Sequence, residues 1–227
     1  MMIPLSASKY LRDHFIGSFV NEAHPSHWDP ANDKGVFAIT LLCLAYWNAA
    51  AGLAHAKAKA TSKETIEFMA VCLGNSSPPF GHRYKGRAAI IYSLFRHGLV
   101  HHRIPGELEG KSSTVAWVLG RDLDDQRHLL LLGPLSPSDP DRLGFGLTLR
   151  APIIASKPRL YIGLKPDLLF EHSLRAFEQF ASQCERDSNL FRAVQIGVEA
   201  AKGPREIEGK GVVELVDAAL DAPDPWP

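Results

Sequence analysis

GRAAIIYSLFRHGLVHHR, residues 86–103, decides how the rest of the chain is read. The stretch reads as a helix whose first turns are apolar (Ala88, Ala89, Ile90, Ile91, Leu94, Phe95) and whose end carries Arg96, His97, His101, His102 and Arg103. Two accounts compete for that end. Arg and His near a helix C-terminus bond its open carbonyls and favour the macrodipole. Alternatively, Arg96, His97 and His101 form a site for phosphate chemistry. No acidic residue lies between Glu67 and Glu107, whereas Arg83, Lys85, Arg87, Arg96 and Arg103 all do. In a chain with 25 Lys+Arg against 25 Asp+Glu, this local basic block suits an anionic ligand.

The totals set the frame around that helix. A chain of 227 residues can bury a proper core, and 45% apolar with 22% charged residues is an ordinary globular balance. Overall neutrality argues against a protein that coats nucleic acid along its whole surface, so any such contact is local. Cys43, Cys72 and Cys184 are widely spaced, which speaks against a disulfide frame or a thiolate zinc site. The opening MMIPLSASKYLRDHF lacks the pattern of a signal peptide, and the expected location is cytoplasmic.

Upstream, a first helix is predicted over 8–22, with Ser8 as N-cap and Leu11, Phe15, Ile16, Phe19 and Val20 at helical spacing. Pro25 and Pro30 mark a loop, and Asn32 or Asp33 caps the next element. The longest predicted helix covers 36–59 and is uncharged from Val36 to Ala54. That length would span a bilayer. Thr40, Asn48, Gly52 and the run of alanines suit the centre of a bundle instead, which is the reading adopted. Thr61 or Ser62, with Glu64 and Thr65 nearby, opens a shorter helix with the stripe Ile66, Met69, Ala70 and Leu73, stopped by Gly74. Residues 75–81 read as loop, and the organising helix ends near Pro105 and Gly106.

Downstream the pattern changes to short β-prone runs at 114–119, 128–132, 147–154 and 159–164, with polar turns at 122–125 and 134–142. A small antiparallel sheet of three or four strands is expected. Helices return at 168–185, capped by Asp167 and lined by Leu169, Leu174, Phe177, Phe180 and Ala181, and at 188–201. A loop at 203–210, a short helix at 212–220 and a Pro-rich disordered tail complete the chain. The predicted class is mainly α: a helical bundle with a small antiparallel sheet inserted before the C-terminal helices. The domain plan is 1–106 bundle, 107–165 β-rich insertion, and 166–227 helices packing back.

Arg96-His97-Gly98-Leu99-Val100-His101 has the form Arg, four residues, His, with a polar residue after the Arg. It resembles the signature of the HEPN superfamily, small α-helical bundles that often act as metal-independent ribonucleases and carry the motif near the end of a late bundle helix. FRHGLVH is also similar to a bacterial group related to HEPN in which a β-hairpin region follows the motif helix. The likeness covers roughly Tyr10 to Pro105. It implies His101 as acid–base group, Arg96 as phosphate clamp, His97 as orienting residue, RNA as substrate, a homodimer, and a toxin-like or phage-defence role with an unidentified antitoxin or regulatory partner. No cofactor is implied.

The chemistry suits those residue types. Metal-independent RNA cleavage needs a base for the 2′-hydroxyl, an acid for the leaving oxygen and a cation for the growing phosphate charge. Histidine titrates near ~6.5 and serves both proton roles, while arginine holds two phosphate oxygens with a planar fork. Geometry resists: on a regular helix Arg96 and His101 stand about 140° apart. Family members meet this by facing two motif helices across a dimer.

His102, Arg103, Arg83, Lys85 and Arg87 are the further RNA-binding candidates, with Tyr84 free to stack on a base. For each, a solvated or helix-end role is the simpler account. His97 and His101 match half of an HExxH metal site, but Gly98 follows His97 and no carboxylate or Cys completes it, so no metal is expected. Gly144-Phe145-Gly146 reads as a turn or bulge, and Trp28 and Trp117 as core or interface anchors. The alternative to the nuclease is a non-catalytic HEPN-like module that binds RNA or a nucleotide, or only dimerises. A third reading has Arg and His tying helix ends together.

Overall fold

The computed structural model describes residues 6–24, 35–97, 108–111, 113–120, 123–132 and 159–202. Outside them fall His101, His102, Arg103, Trp28, Asp122, both residues proposed to cap the second helix, the Gly144–Gly146 turn, the expected strand at 147–154, and the C-terminal loop, helix and tail. The described part is mostly helical, with a small sheet.

Helix α1 runs through Ala7–Lys9, a π-wound stretch Tyr10–Ile16 and Gly17–Ala23. Its cap is Ser6, two residues earlier than expected: Ser6 is extended and its Oγ accepts the Lys9 N–H at 3.3 Å. Leu11, Phe15, Phe19 and Ala23 form the buried stripe. Helix α2, Val36–Ala54, stops five residues short of the prediction. The chain turns back there because Ala56 takes a left-handed φ of 57° and the Lys57 N–H bonds Gly52 O at 2.9 Å. By length and composition α2 could cross a membrane. It packs instead against α1, α3 and the two C-terminal helices, with Ile39, Leu44 and Trp47 fully buried.

Helix α3, Ser62–Ser76, opens on a full capping box: Thr61 Oγ1 accepts the Glu64 N–H, and Glu64 Oε2 accepts the Thr61 N–H. It passes through Gly74 rather than ending there. Gly74 is small because α4 crosses it: a Cβ would stand 2.4 Å from Lys85 Cε. Helix α4, Gly81–Ile91, starts five residues before the predicted Gly86 and continues as a π-wound segment, Tyr92–His97.

The sheet has strand order β1-β2-β4-β3, from Leu108–Glu109, Thr114–Leu119, Leu131–Leu132 (β3) and Arg159–Leu164 (β4). It is mixed, which corrects the antiparallel expectation. The two long strands, β2 and β4, pair in parallel through six residues, from Thr114 opposite Arg159 to Leu119 opposite Leu164. A parallel pair needs a long crossover, and the interval 120–158 supplies the length. Of the strand expected at 128–132, only Leu131 and Leu132 join the ladder, because Leu129 turns the chain with φ 58°. Trp117 is core, as expected.

Helix α5, Pro166–Arg186, has Pro at its first position and Lys165, not Asp167, at the N-cap. Helix α6, Ser188–Lys202, is capped by Asp187, whose Oδ1 accepts the Asn189 and Leu190 N–H groups. Trp47 donates to Ser173 Oγ at 2.9 Å, joining α2 to α5. Where α6 crosses α2, a Cβ on Gly197 would lie 2.8 Å from Leu53 Cα. Gly197→Ala is therefore expected to cost about 1–3 kcal/mol, read as a lowered thermal midpoint of about 2–4 °C per kcal/mol. An unchanged melt would show that the α2–α6 crossing is looser than this contact requires.

Candidate functional site

Helix α4 carries both ends of the candidate site, and its first turns are fixed by polar contacts that reach the sheet. Arg83 Nη1 donates to Gln126 O at 2.6 Å and His128 O at 2.8 Å, while its guanidinium lies over the Phe80 ring. That nitrogen is committed to the protein's own carbonyls, unlike the free phosphate contact expected for Arg83. Tyr84 also differs from expectation: it is fully buried, so it cannot stack on a base. The next residue, Lys85, is exposed and lays its stem on Gly74.

The Tyr84 hydroxyl stands 2.9 Å from His128 Nε2 and 2.9 Å from His172 Nδ1. Both histidines are buried. The Lys165 N–H donates to His128 Nδ1 at 3.1 Å, and a backbone N–H can only donate. His128 Nδ1 is therefore an acceptor, so neutral His128 carries its proton on Nε2 and gives it to Tyr84 Oη. Tyr84 in turn donates to His172 Nδ1. The result is a directional chain, His128 to Tyr84 to His172, in which the Tyr84 hydroxyl both accepts and donates. Burial, then the neighbouring His172, Arg83 and Lys165, push His128 down to about 3. Burial and Arg175 push His172 down to about 4, against the opposing pull of Asp125. Burial raises the Tyr84 phenol well above its ordinary range. All three groups are thus neutral near pH 7.

This arrangement does not fit a metal. A ligating histidine normally donates its other N–H outward, whereas here the outward nitrogen of His128 is an acceptor. No cluster of three or more His, Cys, Asp or Glu able to hold a metal occurs among the described residues.

The other end of α4 changes winding. From Tyr92 to His97 the helix is π-wound, so residues five apart are hydrogen-bonded one above the other rather than splayed. Arg96 and His97 lie in this segment. The Nε of Arg96 and that of Arg87 are buried with no hydrogen-bond partner among the described residues. A buried guanidinium N–H without an acceptor is uncommon and calls for one. Tyr92, at the start of the π segment, is anchored to α2: Asn48 Nδ2 reaches Tyr92 Oη at 3.4 Å and Thr65 Oγ1 at 2.9 Å.

Sequence reasoning missed His128 and His172 as members of a site. They lie 44 and 88 residues from Tyr84, so no spacing links them. The available signal was weak: each is a histidine beside a buried apolar stretch, RHLLLL and LLFEHSL. No protein-family model, curated protein or solved structure matches the chain.

Proposed function

We propose that the chain is a HEPN-type, metal-independent endoribonuclease that acts as a homodimer, of the kind that serves in toxin or phage-defence systems. Arg96 clamps the scissile phosphate, His101 exchanges protons with the 2′-hydroxyl and the leaving oxygen, and His97 orients the pair. The observation that supports this reading is the Nε of Arg96, buried in a π-wound turn with no hydrogen-bond partner among the described residues. The always-charged guanidinium suits an anionic oxygen, which its planar fork can hold in pairs. Arg87, Lys85, His102 and Arg103 then extend the phosphate-binding surface.

Incubation of purified protein with single-stranded RNA in excess chelator tests the proposal. Wild type is expected to cleave RNA, leaving cyclic phosphate ends, and to spare a 2′-deoxy substrate. Arg96→Ala and His101→Ala are each expected to lower the rate by about 100-fold or more, the usual weight of acid–base or oxyanion groups. Cleavage at wild-type rate in both variants would end the catalytic assignment. RNA retention without cleavage, lost in Arg96→Ala, would move the assignment to a non-catalytic HEPN-like binding module.

A further inference from the structure

Residues 124–130 form a turn held from several sides. Leu129 is buried with φ 58°, a conformation that a leucine keeps only where its surroundings over-determine it. Its N–H bonds Gly163 O at 2.7 Å, and the His128 and Leu130 N–H groups bond Asp125 O and Arg127 O. Helix α4 clamps the turn from one side through Arg83 and Tyr84. The β4–α5 junction clamps it from the other through Gly163 and Lys165, with an ion pair from Lys165 to Asp125.

The proton arrangement makes this clamp one-way. Each acceptor nitrogen of the two imidazoles already faces a donor. A proton added at His172 Nδ1 leaves the Tyr84 hydrogen with no acceptor, because Tyr84 Oη already takes the proton of His128. A proton added at His128 Nδ1 meets the Lys165 N–H head-on. The charges facing the pair are Arg83 from α4, Lys165 from the junction and Arg175 from α5, all positive. Asp125, from the turn itself, is engaged with Lys165. From α2, Cys43 stands beside Tyr84 as a thiol that burial keeps protonated.

We infer that the His128–Tyr84–His172 chain is an acid-released latch: taking up a proton at His128 Nδ1 frees residues 124–130 from the helix that carries Arg96, while the bundle stays folded. The low values for the two histidines, about 3 and about 4, agree with this geometry. In the released turn His128 leaves its burial and the facing cations and returns toward the ordinary 6.5, whereas His172 stays on α5 beside Arg175. The open form therefore binds more protons than the closed one, and opening is favoured progressively as pH falls below about 6.5. The rings packed on Trp47 and Phe19 are those of Tyr46, Phe68, Phe170 and Phe177, so this part of the core is held by contacts other than the relay.

Amide hydrogen exchange on the full chain between pH 7.5 and 4.5, corrected for intrinsic rates, tests the latch. Protection at Leu129, Leu130 and Gly163 is expected to fall by up to about tenfold per pH unit below pH 6.5. Protection at Leu44 and Trp47 in α2 is expected to hold. His128→Asn keeps an acceptor near the place of Nδ1 for the Lys165 N–H without titrating, and is expected to flatten the slope. Flat wild-type protection in the turn, or loss in the turn and α2 together, overturns the inference; so does an unchanged slope in His128→Asn. Should that variant fail to fold, the wild-type comparison decides alone. The readout involves no RNA, so its failure leaves the nuclease proposal untouched.

Discussion

Tyr84→Phe is expected to destabilise the fold by about 2–5 kcal/mol at pH 7.5, although it removes one oxygen and leaves the ring in place. The reason lies in what remains behind. His128 Nε2–H loses its acceptor and His172 Nδ1 loses its donor, and both nitrogens are buried where water does not replace the missing hydroxyl. Each stranded group costs roughly 1–3 kcal/mol, far more than the net worth of one satisfied hydrogen bond. The phenol's packing against the two imidazoles is retained by Phe, so little of the loss comes from the apolar term. Urea unfolding at fixed pH reads the effect as a lowered midpoint with an unchanged slope. Tyr46→Phe is the control: its hydroxyl bonds Glu22 at 2.9 Å on an exposed face, and its loss is expected to cost below about 1 kcal/mol. A second variant, Tyr84→Phe combined with His172→Phe, removes one of the stranded groups and is expected to recover part of the deficit. Equal, small effects of Tyr84→Phe and Tyr46→Phe would mean that the relay is not held as the coordinates place it.

How much of this was legible in the chain depended on whether a pattern was local. The uncharged run from Val36 to Ala54 reads directly as a central helix, because a helix apolar all round must be enclosed. The start of α3 was legible for the same reason: Thr61 and Glu64 satisfy one another within one turn. Tyr84 was misread through a boundary error. Starting the helix at Gly86 severs Tyr84 from the stripe Tyr84, Ala88 and Ile91, which is continuous once the helix begins at Gly81. The basic neighbours His82, Arg83, Lys85 and Arg87 then disguise a buried position as a solvated one.

The parallel pairing of β2 with β4 was the harder case. Its cue was present in the unbroken apolar run VAWVL, since strands covered on both faces do not alternate. Which strand lies beside which is nevertheless fixed by the crossover between them, not by either strand's composition. The candidate nuclease motif sits between these extremes. Arg96 could be picked out by residue type alone. The π winding that sets its direction arises from how Tyr92, Leu94 and Phe95 seat against the rest of the bundle, with Tyr92 tied to Asn48.

Two glycines on α4 separate steric need from helix propensity, and their substitutions are expected to have opposite signs. Gly81→Ala places a Cβ 2.2 Å from Gly74 O and 3.1 Å from Gly74 C, both backbone atoms that cannot swing aside. The first turn of α4 must lift from α3, and with it Arg83 and Tyr84, which hold the turn at His128. A loss of about 3 kcal/mol or more is expected, beyond the usual overpacking range because the clash falls on backbone. Gly86, five residues along the same helix, is exposed with nothing within 4 Å of an added Cβ. There Ala only restricts the unfolded chain and improves the helix, a gain of about 0.5–1 kcal/mol. Chemical denaturation of the two variants side by side reads both signs against one wild-type baseline. If Gly81→Ala proves as harmless as Gly86→Ala, α3 and α4 do not cross at Gly74 as closely as this contact requires. The Arg96 helix would then be positioned by its sheet-side contacts, the Arg83 hydrogen bonds, the relay and Phe95 on Trp117, rather than by the α3 crossing.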